Sequence, residues 1–265
     1  MNYGFIGLGN MATAIIKGMA TSQKFDTKNI YGMNRSYEKT DTLVQQYGIQ
    51  GCTTIEDLMK ASDVVVLAVK PQVLPSILPT VRACLRKEQI VISVAAGKTL
   101  AYLQENLNQH PSIFRVMPNI NAVVGASTSC YSTPATTSKA HKQLVEEMFE
   151  TIGTIIELPE NLFSIFTTIG CASPAFTYLY IDSLARAAVR EGMSKEMALE
   201  IAASSVLGSA KMILASNEHP MALVDQVCSP GGTTIQGITS LQANRFEGVI
   251  HDAVTAVTQK DHSLR

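Results

Sequence analysis

The chain lacks a surplus of either charge, a run of basic residues and a long apolar run, and each absence excludes a class of protein. Its 265 residues carry 21 Lys and Arg against 22 Asp and Glu, a formal net charge of −1. This balance argues against nucleic acid or an anionic membrane as the main partner. No apolar run is expected to span a membrane and no basic signal region precedes the first predicted strand, so we expect a cytoplasmic protein.

Disulfide and metal signatures are also missing. The odd number of cysteines and the lack of a C-x-x-C pair fit reduced thiols better than a disulfide framework. The five histidines show no ligand spacing with the cysteines, so we predict no metal site. The cysteines are Cys52, Cys84, Cys130, Cys171 and Cys228.

The first part of the chain predicts an α/β fold. Short apolar strands alternate with helices there, as in parallel crossover units. The segments 64–69 and 90–94 are nearly all apolar, which is typical of strands inside a covered parallel sheet. We predict a Rossmann-like, doubly wound domain over residues 1–158. Its strands are expected at 3–6, 30–33, near 49, 64–69, 90–94 and 114–119, and its helices at 10–21, 38–47 and 56–60.

After about residue 158 the pattern changes to long, Ala-rich runs that favour helices, over 161–191, 194–217, 235–243 and 246–259. We predict an all-helical second domain over residues 159–265. Small residues would let these helices approach closely, and apolar positions all around them favour a dimer whose helices interlock. A self-contained bundle is the alternative.

A G-x-G-x-x-A pattern follows the first predicted strand. Gly7 would permit the tight turn into the helix, Gly9 would leave room for a pyrophosphate, and Ala12 would take the third small position. The helix start, with Asn10 and Met11, would offer unpaired N–H groups to the phosphates. The pattern predicts a dinucleotide site, although glycines also mark ordinary turns.

The residues after the second predicted strand indicate which dinucleotide binds. An NAD-specific fold usually has an Asp or Glu at this point, whereas this chain has Asn34, Arg35 and Ser36. Arg35 can form charge-assisted bonds to a 2′-phosphate, and its two neighbours can add neutral donors. We therefore predict NADPH, with NADH as the alternative cofactor. A polar turn with a solvated Arg35 is the competing interpretation.

Three further strand ends are expected to line the nicotinamide half of the groove. A doubly wound sheet binds its ligand at the carboxyl ends of its strands. The candidates are Ala68, Val69, Lys70, Pro71 and Gln72 after one strand, Ala95, Ala96 and Gly97 after the next, and Asn119 after the third.

A second distinctive loop lies between two predicted helices. Pro230 would end the incoming helix, Gly231 and Gly232 would free the backbone, and the next helix would begin at or just after Thr233 and Thr234. The N–H groups of a helix start can bind a carboxylate, and the Thr hydroxyls can cap the helix or reach a ligand. Taken alone, the pattern is typical of an ordinary helix–helix turn.

Over its whole length the chain resembles the pyrroline-5-carboxylate reductase family. The resemblance rests on the motifs at 4–15, 34–36, 68–72, 94–97, 115–119 and 225–234, of which Ser-Pro-Gly-Gly-Thr-Thr at 229–234 is the most specific. It implies an NAD(P)H-binding domain, a helical dimerisation domain, often with five dimers in a ring, and reduction of 1-pyrroline-5-carboxylate to L-proline.

The resemblance also implies roles for the second loop. The substrate carboxylate would lie on N–H groups of the loop, and the Thr234 hydroxyl would bond the ring nitrogen. Because a neutral Thr is a poor proton donor, we expect Thr234 to orient the imine first and to relay a proton second. A C=N bond accepts hydride readily, so positioning can supply most of the catalysis. The substrate-binding candidates are Val227, Ser229, Gly231, Gly232 and Thr233.

The chain departs from the family pattern close to the expected substrate site. Cys171 and Ala172 replace a hydroxyl and a glycine, and Arg186 stands where the family has an acidic or small residue. A reductase of a related cyclic imine, or a weakly active or non-catalytic cofactor-binding paralogue, is therefore the alternative. A β-hydroxyacid reductase would need a catalytic lysine after the first domain, and none occurs between Lys142 and Lys195.

Overall fold

The computed structural model describes residues 1–263, which form two compact units. Unit 1 consists of Met1–Cys171 and the end of the chain from residue 261, and unit 2 consists of Ala172–Lys260. The division falls later than residue 158 because Phe163 and Phe166 pack against Cys130 of unit 1. As limits of functional domains, 1–158 and 159–265 stay a prediction.

Unit 1 is built on one eight-stranded sheet. Its strands are β1 (Tyr3–Ile6), β2 (Ile30–Met33), β3 (Gln50–Gly51), β4 (Val64–Leu67), β5 (Ile90–Ser93), β6 (Ile113–Met117), β7 (Ser127–Ser132) and β8 (Gly153–Glu157). They lie in the order β3-β2-β1-β4-β5-β6-β7-β8, and all neighbours are parallel except β6 and β7. The order reverses between β1 and β4, which confirms the predicted doubly wound fold.

Helices cover both faces of the sheet. In β4, Val64 and Val66 belong to the apolar cluster that includes α1 and α6 residues, whereas Val65 and Leu67 belong to the cluster under α3, α4 and α5. This alternation explains why the strand is apolar throughout. The helices of unit 1 are α1 (Asn10–Thr21), α2 (Tyr37–Tyr47), α3 (Ile55–Ala61), α4 (Leu74–Cys84), α5 (Leu100–Asn106), α6 (Lys139–Glu150) and α7 (Phe163–Phe166), and a π-helical segment (Thr167–Ala172) follows α7.

The end of the chain belongs to unit 1. The hydroxyl of Ser164 in α7 donates to the carboxylate of Asp261 at 2.7 Å, and Ser164 is buried. The chain therefore leaves unit 1 after Cys171, forms unit 2, and comes back to unit 1 at Asp261.

Unit 2 is helical, as predicted, and has a small interior. Among its described residues only Pro174, Ala185, Ala198 and Ala202 are buried, whereas Leu214 is 87% exposed. Many large apolar side chains on the surface of unit 2 are typical of an interface with another chain. They favour the predicted dimer over a self-contained bundle. The helices are α8 (Ser173–Arg190), α9 (Lys195–Ala215), α10 (Pro220–Val227), α11 (Thr233–Ala243) and α12 (Phe246–Ser263), which ends in unit 1.

Two helices in the described part of the chain have the length and composition to cross a membrane. They are Glu160–Arg190, taken as one helix, and Lys195–Ala215, with mean hydropathies of 1.3 and 1.4. By length and composition, these two helices therefore differ from the expectation that no apolar run reaches a membrane span. Length and composition are weak support for a span, because apolar helices that pack against protein pass the same test.

Candidate functional site

The turn between β1 and α1 requires glycine at Gly7. Its φ is +94°, and a Cβ there would lie 2.8 Å from the Ala68 carbonyl oxygen and 2.9 Å from a Val69 methyl group. Its N–H donates to the Met33 carbonyl at 2.8 Å, which ties the turn to the end of β2. Gly9 differs, because a Cβ there would meet nothing within 4 Å. The fold therefore fixes Gly7, whereas Gly9 faces open space.

The N-terminus of α1 is free to receive an anion. Gly9 occupies the N-cap position, no side chain caps the helix, and its first turn holds no acidic residue. The first three helical residues are Asn10, which is exposed, Met11, which is half-buried, and Ala12, which is buried in the core. Their N–H groups are those that an α-helix leaves without an internal partner, and such groups bind phosphate.

A cavity of about 810 Å³ opens beside this turn. Its size suits a small-molecule cofactor. Arg35, Lys39 and Lys70 line it, and none of the described residues that line it is an Asp or Glu, so the lining is cationic. The sequence-predicted residues in the lining are Gly7, Gly9, Asn34, Arg35, Ser36, Ala68, Val69, Lys70 and Gln72.

Several lining residues were missed from the sequence. Lys39 lies in the first turn of α2, three residues after the N-cap Ser36, and a cation so close to the predicted phosphate corner was the signal that could have found it. The apolar side chains give the cavity walls suited to the flat faces of a dinucleotide. The missed residues are Ile6, Leu8, Met33, Lys39, Ile55, Val73, Ser76 and Ile77.

Asn34 has a structural role besides lining the cavity. Its side-chain oxygen accepts the N–H of Leu8 at 3.1 Å, and its amide nitrogen donates to the Ser36 carbonyl at 3.3 Å. Asn34 therefore holds the Gly-rich turn against the end of β2. Arg35 and Ser36 are exposed, and no hydrogen bond of their side chains occurs within residues 1–263.

Other predicted cofactor residues lie outside the cavity lining. Pro71 is half-buried, Ala95 is buried in the second apolar cluster, and Ala96 and Gly97 are exposed on the loop between β5 and α5. Gly97 has a φ of +74°. The structure therefore brings together, around one cavity, the candidates that follow β1, β2 and β4. Pro71 and the candidates that follow β5 lie outside its lining.

Asn119 is buried and has partners on both sides of its amide. Its nitrogen donates to the carbonyl of Gly170 at 2.8 Å, and its oxygen accepts the N–H of Asn121 at 3.1 Å. Gly170 lies in the π-helical segment (Thr167–Ala172). Within unit 1, Asn119 therefore connects the end of β6 to this segment, a role that the sequence did not predict.

In unit 2, the loop between α10 and α11 forms a tight turn. The N–H of Gly232 donates to the carbonyl of Ser229 at 3.0 Å, and Gly231 has a φ of +68°. Pro230 and Gly231 occupy the central positions that suit a type II turn. Because its N–H is used in the turn, Gly232 cannot offer that group to a substrate without opening the turn. Val227, the last residue of α10, is 67% exposed.

Helix α11 begins at Thr233, as predicted. Its N-cap is Gly232, and no side chain caps it, so the threonine hydroxyls do not serve as caps. Thr233 and Thr234 are exposed, and the Thr234 hydroxyl has no hydrogen-bond partner within the described residues. The N–H groups of these first helical residues have no internal partner and stay available to a carboxylate.

The structure gives contacts for two of the residues that depart from the family pattern, Arg186 and Cys171. Arg186 pairs with Asp182 within α8, and Lys195 of α9 donates to the same carboxylate at 2.6 Å. Hydrogen bonds from Lys195 and Arg186 hold the pKa of Asp182 below its usual value. Cys171 is the last residue of the π-helical segment that belongs to unit 1. Its sulfur lies 3.9 Å from the carbonyl oxygen of Pro118.

Burial makes two thiols unreactive in the native chain. Desolvation raises the pKa of Cys171 to about 11 and that of Cys130 to about 12. At neutral pH both are therefore thiols, and the thiolate is the nucleophile. We expect iodoacetamide to spare Cys130 and Cys171 in the native protein and to modify both after denaturation, as read by peptide mass spectrometry. Fast native alkylation of Cys171 would contradict this prediction.

Comparison with known proteins gives consistent matches. The family model described as "Pyrroline-5-carboxylate reductase dimerisation" matches residues 160–264, and the one described as "NADP oxidoreductase coenzyme F420-dependent" matches residues 2–97. The pyrroline-5-carboxylate reductase of Escherichia coli (strain K12) is 34% identical over 261 residues, which cover 98% of this chain and 97% of the relative.

Two solved structures extend the match to the fold. A pyrroline-5-carboxylate reductase from Coxiella burnetii gives a TM-score of 0.94 at 31% identity, covering 99% of this chain and 98% of that one. A pyrroline carboxylate reductase from Plasmodium falciparum, solved with NADP bound, gives 0.87 at 29% identity, covering 100% and 98%.

Proposed function

This chain belongs to the pyrroline-5-carboxylate reductase family, and from that premise we propose that it reduces 1-pyrroline-5-carboxylate to L-proline with NADPH. The observation that carries the proposal is the loop at 229–234. Its tight turn leads into a helix start with unpaired N–H groups and an exposed Thr234 hydroxyl. The N–H groups suit a carboxylate and the hydroxyl suits a ring nitrogen, and 1-pyrroline-5-carboxylate has both groups.

The cavity of unit 1 supports NADPH as the cofactor. The residues that would hold it are Gly9 and the first turn of α1 for the pyrophosphate, and Arg35, Ser36 and Lys39 for the 2′-phosphate. The lining has three cations and no Asp or Glu among its described residues, which favours a phosphorylated ribose over a free diol. When bound, NADPH supplies the hydride.

The residues of the second loop would bind and orient the imine. The N–H groups of Gly231, Thr233 and Thr234 would receive its carboxylate, with Val227 and Ser229 beside them. The Thr234 hydroxyl would bond the ring nitrogen and fix the face of the C=N bond that accepts hydride. The imine held in this way would accept the hydride at C5 while its nitrogen keeps or takes one proton, which would convert the C=N bond to CH–NH. No acid stronger than solvent is needed, because the imine is readily protonated.

One assay tests the proposal. Purified protein is incubated with NADPH and 1-pyrroline-5-carboxylate, and the loss of reduced-nicotinamide absorbance is measured together with proline. We expect stoichiometric NADPH oxidation and proline formation. A faster reaction with the six-membered homologue would assign a related cyclic imine as the substrate. NADPH binding without oxidation of NADPH by either imine would identify a non-catalytic, cofactor-binding member of the family.

Self-association accompanies this function. The residues matched by the dimerisation model include all of unit 2, whose helices expose large apolar side chains. We propose a cytoplasmic homodimer through these helices, with a decamer of five dimers as the larger assembly. Nucleic acid and membranes are not among the proposed partners, given the net charge of −1.

Cofactor choice gives a direct prediction at Arg35. Arg35→Ala is expected to weaken NADPH binding by about tenfold to a hundredfold, because a charge-assisted bond to the 2′-phosphate is lost. NADH lacks that phosphate, so its affinity should hardly change. Titration of both cofactors by calorimetry measures the difference, and Lys24→Ala, an exposed cation outside the cavity, is the matched control. Equal weakening of the two cofactors would remove Arg35 from the discrimination.

A further inference from the structure

Arg115 in β6 carries a buried charge with unusual surroundings. Its side chain is 4% exposed, its Nη1 lies 2.7 Å from Glu160 Oε1, and its guanidinium lies 4.3 Å from the centre of the Phe163 ring. Its Nε is buried without a hydrogen-bond partner. A buried cation is costly unless it is paired, so the Glu160 carboxylate is held firmly in place by Arg115.

The same carboxylate oxygen holds a third element. Glu160 Oε1 accepts the N–H of Leu100 at 2.6 Å. Leu100 is the first residue of α5, and its own N-cap is Thr99. One oxygen atom thus joins the middle of β6, the 3-10 turn Glu160–Leu162 and the start of α5, all within unit 1.

These contacts fix the loop at 94–99, between β5 and α5. At its start, Ser93 of β5 is the sheet neighbour of Arg115, and at its end Leu100 is held by Glu160. Between these anchors, Ala96 and Gly97 are exposed, and Gly97 has a positive φ. The exposed part of the loop is therefore held between Ala95, which is buried in the second apolar cluster, and Leu100.

We propose that Arg115 and Glu160 are positioning residues, which set the loop at 94–99 for the nicotinamide end of the cofactor through the N–H of Leu100. This inference rests on the proposed function, which makes the loop part of the nicotinamide site. Neither residue lines the cavity of unit 1, so both act through the loop. Under the proposed function the loop would contact the nicotinamide, whereas the phosphate candidates lie in the first turn of α1 and after β2.

A pair of variants at Leu100 isolates the hydrogen bond. Leu100→Pro removes the N–H donor. Proline is tolerated there because Leu100 is the first residue of the helix and the residue before it, Thr99, is extended. Leu100→Ala is the matched control, since it loses the leucine packing and keeps the N–H. We expect the proline variant to bind NADPH about tenfold more weakly than the alanine variant. Turnover with the imine should fall by up to about a hundredfold, because the nicotinamide is misplaced.

A comparison of two ligands distinguishes a positioning role from a merely structural one. A structural defect would weaken both ligands, whereas a misplaced loop should weaken only the ligand that carries the nicotinamide. 2′-Phospho-ADP-ribose, which lacks the nicotinamide, should bind the proline and alanine variants within about twofold of each other. Glu160→Ala should reproduce the proline variant, and Glu160→Gln, which keeps the acceptor oxygen, should restore the affinity for NADPH. The Leu100 pair decides the question if Glu160→Ala does not fold.

Two results would overturn the inference. One is equal NADPH affinity of the proline and alanine variants, and the other is a parallel loss of NADPH and 2′-phospho-ADP-ribose. The binding measurements need no imine. A wild-type chain that binds NADPH and reduces no imine would therefore refute the proposed function and leave this test intact.

Discussion

Thr234→Ala is expected to lower turnover by on the order of ten- to a thousandfold, with NADPH affinity little changed. The hydroxyl would bond the ring nitrogen as the C=N bond is reduced, so its loss should reduce kcat more than it raises KM. Thr234 is exposed and does not cap α11, so the variant should fold as the wild type does. Steady-state kinetics with the imine and calorimetry with NADPH measure the two quantities.

Two controls sharpen this experiment. Thr239→Ala removes an exposed threonine hydroxyl on the same helix, where it bonds only backbone carbonyls, and should leave turnover near the wild-type value. Thr234→Ser returns a hydroxyl and should recover most of the lost rate. Unchanged turnover in Thr234→Ala would remove this residue from the mechanism.

The glycines of the first turn should respond in opposite ways to the same substitution. Gly9→Ala is expected to leave the melting temperature nearly unchanged, because its new Cβ meets no protein atom within 4 Å. It should weaken NADPH binding by about a hundredfold, because the methyl group takes the space that lets a pyrophosphate approach the backbone.

Gly7→Ala should instead destabilise the fold. Its positive φ alone costs a residue with a side chain on the order of 1–3 kcal/mol, and the clash with Ala68 adds to that. Thermal unfolding and NADPH titration of both variants separate the two effects. Normal NADPH affinity in a well-folded Gly9→Ala protein would show that the pyrophosphate does not lie against this residue.

The parts of the fold that follow from local pattern could be predicted. Strand β1 and helix α1 match their predicted bounds because one glycine pattern sets both ends of the turn between them. Strand β4 is buried on both faces, so its run of valines was sufficient. Strands β7 and β8 and helices α4, α5 and α6 were not predicted. Strand β7 is rich in Ser, so its sequence looks polar and does not predict a buried strand. In the fold, the buried hydroxyls of Ser127 and Ser129 form a hydrogen bond with each other.

The candidate site divides in the same manner. Gly7, Gly9 and Arg35, which residue type and spacing single out, all line the cavity. Asn34 and Asn119 stay predicted cofactor contacts, and their amides also bond to the backbone of residues far along the chain, Leu8 and Gly170. Such partners exist only after folding, so residue type and spacing could not reveal them.

The return of the chain to unit 1 at Asp261 changes how unit 2 should be viewed thermodynamically. Its helices form an insertion with both ends fixed, rather than an appended tail. When unit 1 is folded, the unfolded form of the insertion is a closed loop with fewer conformations, much as a crosslink would leave it. The bond from Ser164 to Asp261 therefore stabilises helices that it does not touch, by lowering the entropy they lose on folding.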